Sequence, residues 1–472
     1  MAGPPSSILI VGSGVFGLGT AYALTQRSLF DKTTITLVDS AGGQFPPEDS
    51  ASVDSSRIIR ADYSDREYAA LAAEAQKQWR QQADHELGGQ GRYSESGLLL
   101  CADTPPMDYS YKKCGMDYTK DSWRNVMDIA KETGLPQDKI QLLENTAAMQ
   151  DFLKTDGHPG DWGYINNLSG WADAGQGMKW LYAKAKATGR IDFVDAKVAE
   201  LVTEGDRVTG AKLADSRVLK ADVVFVAAGA WTGSLVDLRG RSEATGHPVA
   251  YVAITPEEEK ALEKLPVVLN LSTGLFVIPP RDGLLKLARH DFGYVNPTTI
   301  TRALPVSHKL PRETFVASQP YTTRNDPSEP FPAEADADLR RALTDLIPLR
   351  GLQDRPWEKT RICWYADTRD GEWLVDWHPG WRGLFVATGD SGHGFKFLPN
   401  LGDKIVDVLL GQGGTLADKW RWRDVPSDGA GRETDGVYKG LITEDGSRGG
   451  QMLVLKDELA KGRAKNVVKA KL

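Results

Sequence analysis

Apolar positions near the start of the chain predict three elements in a row. Ser7-Ile8-Leu9-Ile10-Val11 is a β-branched run closed by glycine and reads as a strand. Leu18 to Gln26 is rich in Ala and Leu and predicts a helix; Thr34 to Val38 predicts a second strand. Val198-Ala199-Glu200-Leu201 opens a run of short alternating segments, with turn signals at Gly205-Asp206 and Asp215-Ser216. That run closes in Val223-Val224-Phe225-Val226, a buried strand continuing into Ala227-Ala228-Gly229-Ala230-Trp231. Gly283 to Leu287 and Gly383 to Thr388 are further strands. From Trp420 onward Gly, Asp and Arg are frequent and periodicity is weak, so this stretch is expected to wrap the surface. No apolar run approaches the ~18 residues of a membrane span, and Ile8 to Val11 is too short for a signal-peptide core.

Between the first strand and its helix lies Gly12-Ser13-Gly14-Val15-Phe16-Gly17. Strand, glycine turn and helix are the context in which this pattern binds a dinucleotide. Gly12 allows the tight turn, Gly14 lets a pyrophosphate approach the backbone, and Gly17 lets helix and strand pack closely. The helix N-terminus offers free N–H groups to phosphate. Asp39 ends the second strand 22 residues after Gly17, near the ~20 expected of a ribose-binding acid. An acid there favours a free 2′-hydroxyl, as in FAD or NAD, over NADP. No second glycine motif and no Cys-x-x-Cys is present, which disfavours a pyridine-nucleotide disulfide reductase.

Composition narrows the class. The 472 residues suggest two or three domains at about 150 residues each. Lys plus Arg is 57 against 64 for Asp plus Glu, a formal charge of −7, which argues against nucleic-acid binding. Three cysteines (Cys101, Cys114 and Cys363) are no disulfide framework and suggest a reducing compartment. The terminal Ala470-Lys471-Leu472 is close to the Ser-Lys-Leu peroxisomal address, so a peroxisomal import receptor is an expected partner; unread, the signal would leave the protein cytoplasmic.

Three clusters carry a family resemblance. They are Ser56-Arg57-Ile58-Ile59-Arg60, the segment Cys363-Trp364-Tyr365-Ala366-Asp367, and Ser391-Gly392-His393-Gly394-Phe395-Lys396. With the glycine motif and the Ala-Gly-Ala-Trp strand end, the chain resembles the monomeric sarcosine oxidase family of FAD-dependent amine oxidases from about Ile8 to Leu410. That family includes sarcosine, pipecolate, saccharopine and N-methyl-tryptophan oxidases and the fungal fructosyl amino acid oxidases. The resemblance implies an α/β fold: an FAD-binding Rossmann-like domain interleaved with an α+β substrate domain carrying an antiparallel sheet, the glucose-methanol-choline and D-amino acid oxidase type of flavoprotein architecture. The expected division is 6–96, 171–245 and 357–415 for FAD, 97–170 and 246–356 for substrate, and 416–472 as a tail with the targeting signal. A Pro- and Ser-rich loop from Pro305 to Pro332 is a candidate lid. A monomer without metal is expected.

The resemblance also implies roles. Arg60 and Lys396 would hold a substrate carboxylate, Arg as a planar fork and Lys as a point charge. Arg57 would lie near the flavin, although i, i+3 spacing from Arg60 also suits one face of a solvated helix. Gly392-His393-Gly394, read as opening a helix, would offer N–H groups to the reduced flavin. Cys363 sits where the family links flavin to a cysteine sulfur, whereas Cys101 and Cys114 read as buried thiols. Lys286 would promote reaction with O2, and His290 is either an active-site histidine or a structural one. Asp367 and His393 at most orient neighbours, and no general base is evident. The expected cofactor contacts are Gly12, Gly14, Val15, Phe16, Gly17, Asp39, Ser56, Arg57, Val198, Ala228, Gly229, Trp231, Cys363, Gly392, Gly394, Phe395 and Lys396.

The implied reaction takes a hydride from the carbon beside a secondary amine to FAD and yields an imine and hydrogen peroxide. Fructosyl amino acid oxidases carry Asn-Asp-x-Asn-Lys where this chain has Asp54-Ser55-Ser56-Arg57, which counts against deglycation. An ungapped comparison puts Leu275 where sarcosine oxidases have a tyrosine, which favours a larger secondary amino acid. A flavin dehydrogenase serving a protein acceptor, and a binding protein without turnover, are the alternatives from other classes.

Overall fold

The computed structural model describes residues 3–301, 304, 314–325, 331–425, 432–434 and 437–461. Ser7–Val11 lies at the centre of a six-stranded sheet, parallel to Thr34–Asp39 on one side and Val223–Val226 on the other. Ile191–Asp195 extends one edge in parallel; Leu384–Thr388 and then antiparallel Leu374–Trp377 extend the other. The apolar run at Ser7–Val11 is continuous because both faces are covered. Ile8 and Ile10 pack with Leu18, Met178 and Ile405 of the helices Val15–Thr25, Ala174–Ala187 and Leu401–Leu409. Leu9 and Val11 face the antiparallel meander Val198–Glu204, Arg207–Leu213 and Val218–Lys220 through Leu201, Val208 and Leu213. Strands buried on both faces dispense with alternation.

A second, larger sheet centres on Glu243–Ala253, antiparallel to Lys359–Asp367 and to Leu284–Arg289. Leu284–Arg289 forms a hairpin with Leu275–Arg281 across Asp282-Gly283, both at positive φ (53° and 72°), as a tight turn of this kind requires. The register shifts between Ile278 and Arg281, a bulge at Pro279-Pro280. One face of the hairpin packs on the helix Ala333–Asp345 through Leu275, Val277, Leu285 and Leu287. Its other face carries Phe276, Ile278 and Lys286 toward the first sheet. Leu275 is therefore core, and Phe276 takes the cavity position that the ungapped comparison gave to Leu275.

Three local readings are corrected. The segment at Arg57 is no helix face: Arg57–Ile59 is a strand, antiparallel to Gly170–Ala172. Gly392-His393-Gly394 opens only the 3₁₀ turn Phe395–Phe397, and the helix begins at Leu401. The helix after the glycine motif starts at Val15 rather than Leu18, so Val15, Phe16 and Gly17 are themselves helical. Residues 305–313 and 326–330, half of the expected loop Pro305 to Pro332, and all of Ala470-Lys471-Leu472 lie outside the described residues; within the described half Phe315–Ser318 is a strand antiparallel to Pro297–Ile300. Among the described residues, no helix is long and apolar enough to cross a membrane.

Candidate active site

A cleft runs along the C-terminal ends of the parallel strands. Gly12 turns the chain there at φ 104°, and a Cβ on it would strike the Ala227 carbonyl. Gly14 caps the helix Val15–Thr25 without a side chain of its own; Ser52 Oγ accepts from the Val15 N–H at 3.0 Å, and the rest of the first turn is without a side-chain cap where an anion could bind. Asp39 accepts hydrogen bonds from Ser13 N at 2.8 Å, Ser13 Oγ at 2.7 Å and Ser40 N at 2.8 Å. Burial raises its carboxyl pKa against those hydrogen bonds. The cleft brings together Gly12, Gly14, Val15, Phe16, Asp39, Arg57, Val198, Ala228, Gly229, Trp231, Gly392, Gly394 and Phe395. Gly17 packs behind it against the Gly12 carbonyl. Ser56, Cys363 and Lys396 do not line it.

Cys363 and Lys396 instead line an inner cavity, which shares Arg57, Tyr365, Gly392 and Phe395 with the cleft. Arg60, Lys286 and His290 line it too, so every sequence-selected catalytic residue meets here. Its apolar wall is Ile58, Val249, Leu269, Phe276 and Ile278. Each charged group has a distinct setting. Lys286 Nζ is 2.9 Å from Asp54 Oδ2 and donates to the Ser56 carbonyl at 2.7 Å. Arg57 also pairs with Asp54 and donates to Cys363 Sγ at 3.4 Å. Tyr251 adds a hydrogen bond to the same carboxylate. Burial alone would raise the Asp54 pKa, but Lys286 and then Arg57 hold it well below the usual carboxylate range. Burial presses the Lys286 pKa down to about 8 against the pull of Asp54.

On the opposite wall, the Arg60 guanidinium stands 4.8 Å from the Tyr63 ring centroid, and its buried Nη1 has no partner among the described residues. Lys396 donates to Tyr63 Oη at 2.8 Å and to the His393 carbonyl at 2.9 Å. The Trp79 indole holds the Lys396 carbonyl at 2.8 Å. His290 is half-buried, with Nδ1 3.1 Å from Arg448 Nη1; its partial removal from water and Arg448 lower its pKa well below the usual value, so the ring is neutral. Arg448 also pairs with Asp367 at 2.7 Å. The stretch after Trp420 is thus not confined to the surface, because Arg448 is 1% exposed. A vestibule sharing Arg60, His290 and His393 leads outward past Lys112, Arg369 and Asp445.

Sequence reasoning missed Asp54 and Arg448 as members of the site, and Tyr63 as the group joining Arg60 and Lys396. Asp54 stands three residues before Arg57, a spacing that could have marked the pair. Nothing local marks Arg448.

The profile described as FAD dependent oxidoreductase matches residues 7–408. The chain belongs to that family. This FAD-dependent oxidoreductase is 33% identical to amino acid oxidase imqH of Aspergillus flavus over 86% of its own length and 93% of that protein. It is 29% identical to L-saccharopine oxidase of Schizosaccharomyces pombe, over 89% and 93%. Among solved structures it is similar to the deglycating fructosamine oxidase Amadoriase II of Aspergillus fumigatus, with a TM-score of 0.72, 25% identity and 96% of each chain covered. FAD fits the residues present: an open glycine-turn helix end, a buried acid at the end of the second strand and a cationic wall meet in one cleft. Among the described residues, no cluster of three or more metal-ligand side chains occurs.

Proposed function

We propose that this FAD-dependent oxidoreductase oxidises a secondary amine that carries a carboxylate, an N-substituted or cyclic amino acid. The products are an imine and, from O2, hydrogen peroxide. The observation that carries this reading is the buried, unpartnered Nη1 of Arg60 in the same cavity as Lys396. A buried guanidinium hydrogen without an acceptor costs free energy that a ligand carboxylate recovers. The apolar wall opposite suits the carbon skeleton.

Bound FAD would accept the electron pair released from the C–N carbon and pass it to oxygen. Arg57, between Asp54 and Cys363, would face the cofactor, and Lys286 would supply a fixed cation for oxygen reduction. Cys363 is the proposed covalent anchor. Acid-precipitated protein should keep its flavin, and Cys363→Ala should release it; flavin freed from the wild type rejects the anchor. The vestibule beside the apolar wall favours a substrate larger than sarcosine in this reading. An Amadori-type amino acid is the second reading, favoured by the structural likeness to Amadoriase II. A peroxide-release screen over sarcosine, pipecolate, saccharopine, N-methyl aromatic amino acids and fructosyl amino acids tests both readings. Peroxide from the secondary amino acids supports the first, and peroxide from fructosyl amino acids alone supports the second. Peroxisomal delivery through the Ala470-Lys471-Leu472 signal completes the proposal.

A further inference from the structure

An amino acid meets the site as a zwitterion at neutral pH, yet oxidation at its C–N bond needs the free amine. Some group must take the ammonium proton. This inference rests on the amino acid reading above.

The hydrogen bonds around Lys396 fix what its nitrogen can do. His393 Nε2 is 2.8 Å from the Gly371 carbonyl, which only accepts, so Nε2 carries the hydrogen. In the neutral ring Nδ1 is then an acceptor, and burial, the largest influence on this ring, disfavours its protonation. Tyr63 Oη, 3.0 Å from Nδ1, spends its hydrogen there. Lys396 Nζ therefore donates to Tyr63 Oη and again to the His393 carbonyl. Two N–H bonds are used, and no third acceptor is present among the described residues. A neutral amine has two hydrogens and one lone pair, which matches this arrangement.

The charges facing Nζ agree. No carboxylate among the described residues forms an ion pair with Lys396. Asp62 accepts from Tyr164, Asn166 and Ser169. Asp390 accepts from the N–H groups of Ala366 and Gly392. Arg60 shares the cavity as a permanent cation, and His290 is a neutral ring. Burial, then Arg60, press the Lys396 pKa well below the usual lysine range against the weaker pull of Asp390 and Asp62.

We propose that Lys396 waits as a free amine and takes the ammonium proton of the incoming zwitterion, so that one residue both frees the amine and anchors the carboxylate. One substrate N–H bond breaks with its electron pair left on that nitrogen, and one N–H bond forms on the Lys396 lone pair. No redox change accompanies the step. The positive charge moves from the substrate nitrogen to Lys396, where it meets the carboxylate.

A thioether carboxylic acid tests this, because it brings the carboxylate without an amine proton. Calorimetric titration of the FAD-loaded enzyme at about pH 8.5, in two buffers of different ionisation enthalpy, counts protons taken up. Wild type should take up about one proton per site. Lys396→Arg, permanently charged, and Lys396→Met should bind with uptake near zero. Wild-type binding without uptake overturns the assignment. If the wild type binds no carboxylate at all, the amino acid reading fails and the assignment falls with it. In rapid-mixing reduction of the bound flavin, Lys396→Arg should speed up about ten-fold per pH unit below the substrate amine pKa, because only free amine reacts. The wild type should vary far less. Equal profiles overturn the proposal.

Discussion

Asp54 holds two cations at once, the buried Lys286 at 2.9 Å and the half-buried Arg57 beside it. The pair sets the pH response expected of oxygen reduction. Lys286 is charged below about 8 and neutral above it, so reoxidation of the reduced enzyme should slow as pH rises through about 8. Lys286→Met should slow reoxidation by about 10² at pH 7, abolish that dependence, and change reduction by amine only a few-fold. Rapid mixing of reduced enzyme with oxygen measures both, and equal losses in the two half-reactions contradict the role. At this scale the sequence made much of the site legible. Arg60, Lys286, His290, Cys363 and Lys396 were singled out and meet in one cavity. What was not legible is the identity of each partner: Lys286 finds its counter-ion 232 residues away in sequence, and the pattern around Arg57 does not say where its charge goes.

Among elements, the hairpin Leu275–Arg281 with Leu284–Arg289 shows how one residue of bulge decides a cavity wall. The bulge at Pro279-Pro280 breaks the one-to-one register, so Phe276 and not Leu275 faces the site. Counting along the chain cannot see a bulge, because alternation holds only within an unbroken ladder. The Arg57–Ile59 strand shows the same limit, since i, i+3 spacing is compatible with either element. The C-terminal segment brings Arg448 between Asp367 and His290 although it lacks periodicity. Arg448→Met should leave Asp367 without its cation in a buried position, a loss of about 3–5 kcal/mol. Urea unfolding followed by flavin fluorescence should show the lower midpoint, and a variant as stable as wild type contradicts this placement.

At the scale of the molecule, the parallel sheet and its glycine turn were legible because a dinucleotide fold writes its signal locally: an apolar strand, a turn needing glycine, a helix and an acid. The second sheet was legible mainly through family resemblance, since its strands come from segments spread between Leu98 and Val454. We propose that the two sheets mark the two interleaved units, with the inner cavity where they meet. The central claim, that this cavity delivers an amine to FAD, is tested most directly by anaerobic titration of the purified yellow enzyme with secondary amino acids. The account predicts that the flavin band bleaches with at least one of them and returns on admitting air, with about one hydrogen peroxide per flavin. A flavin band left unchanged by every amine, or one that bleaches and does not recover in air, would contradict it.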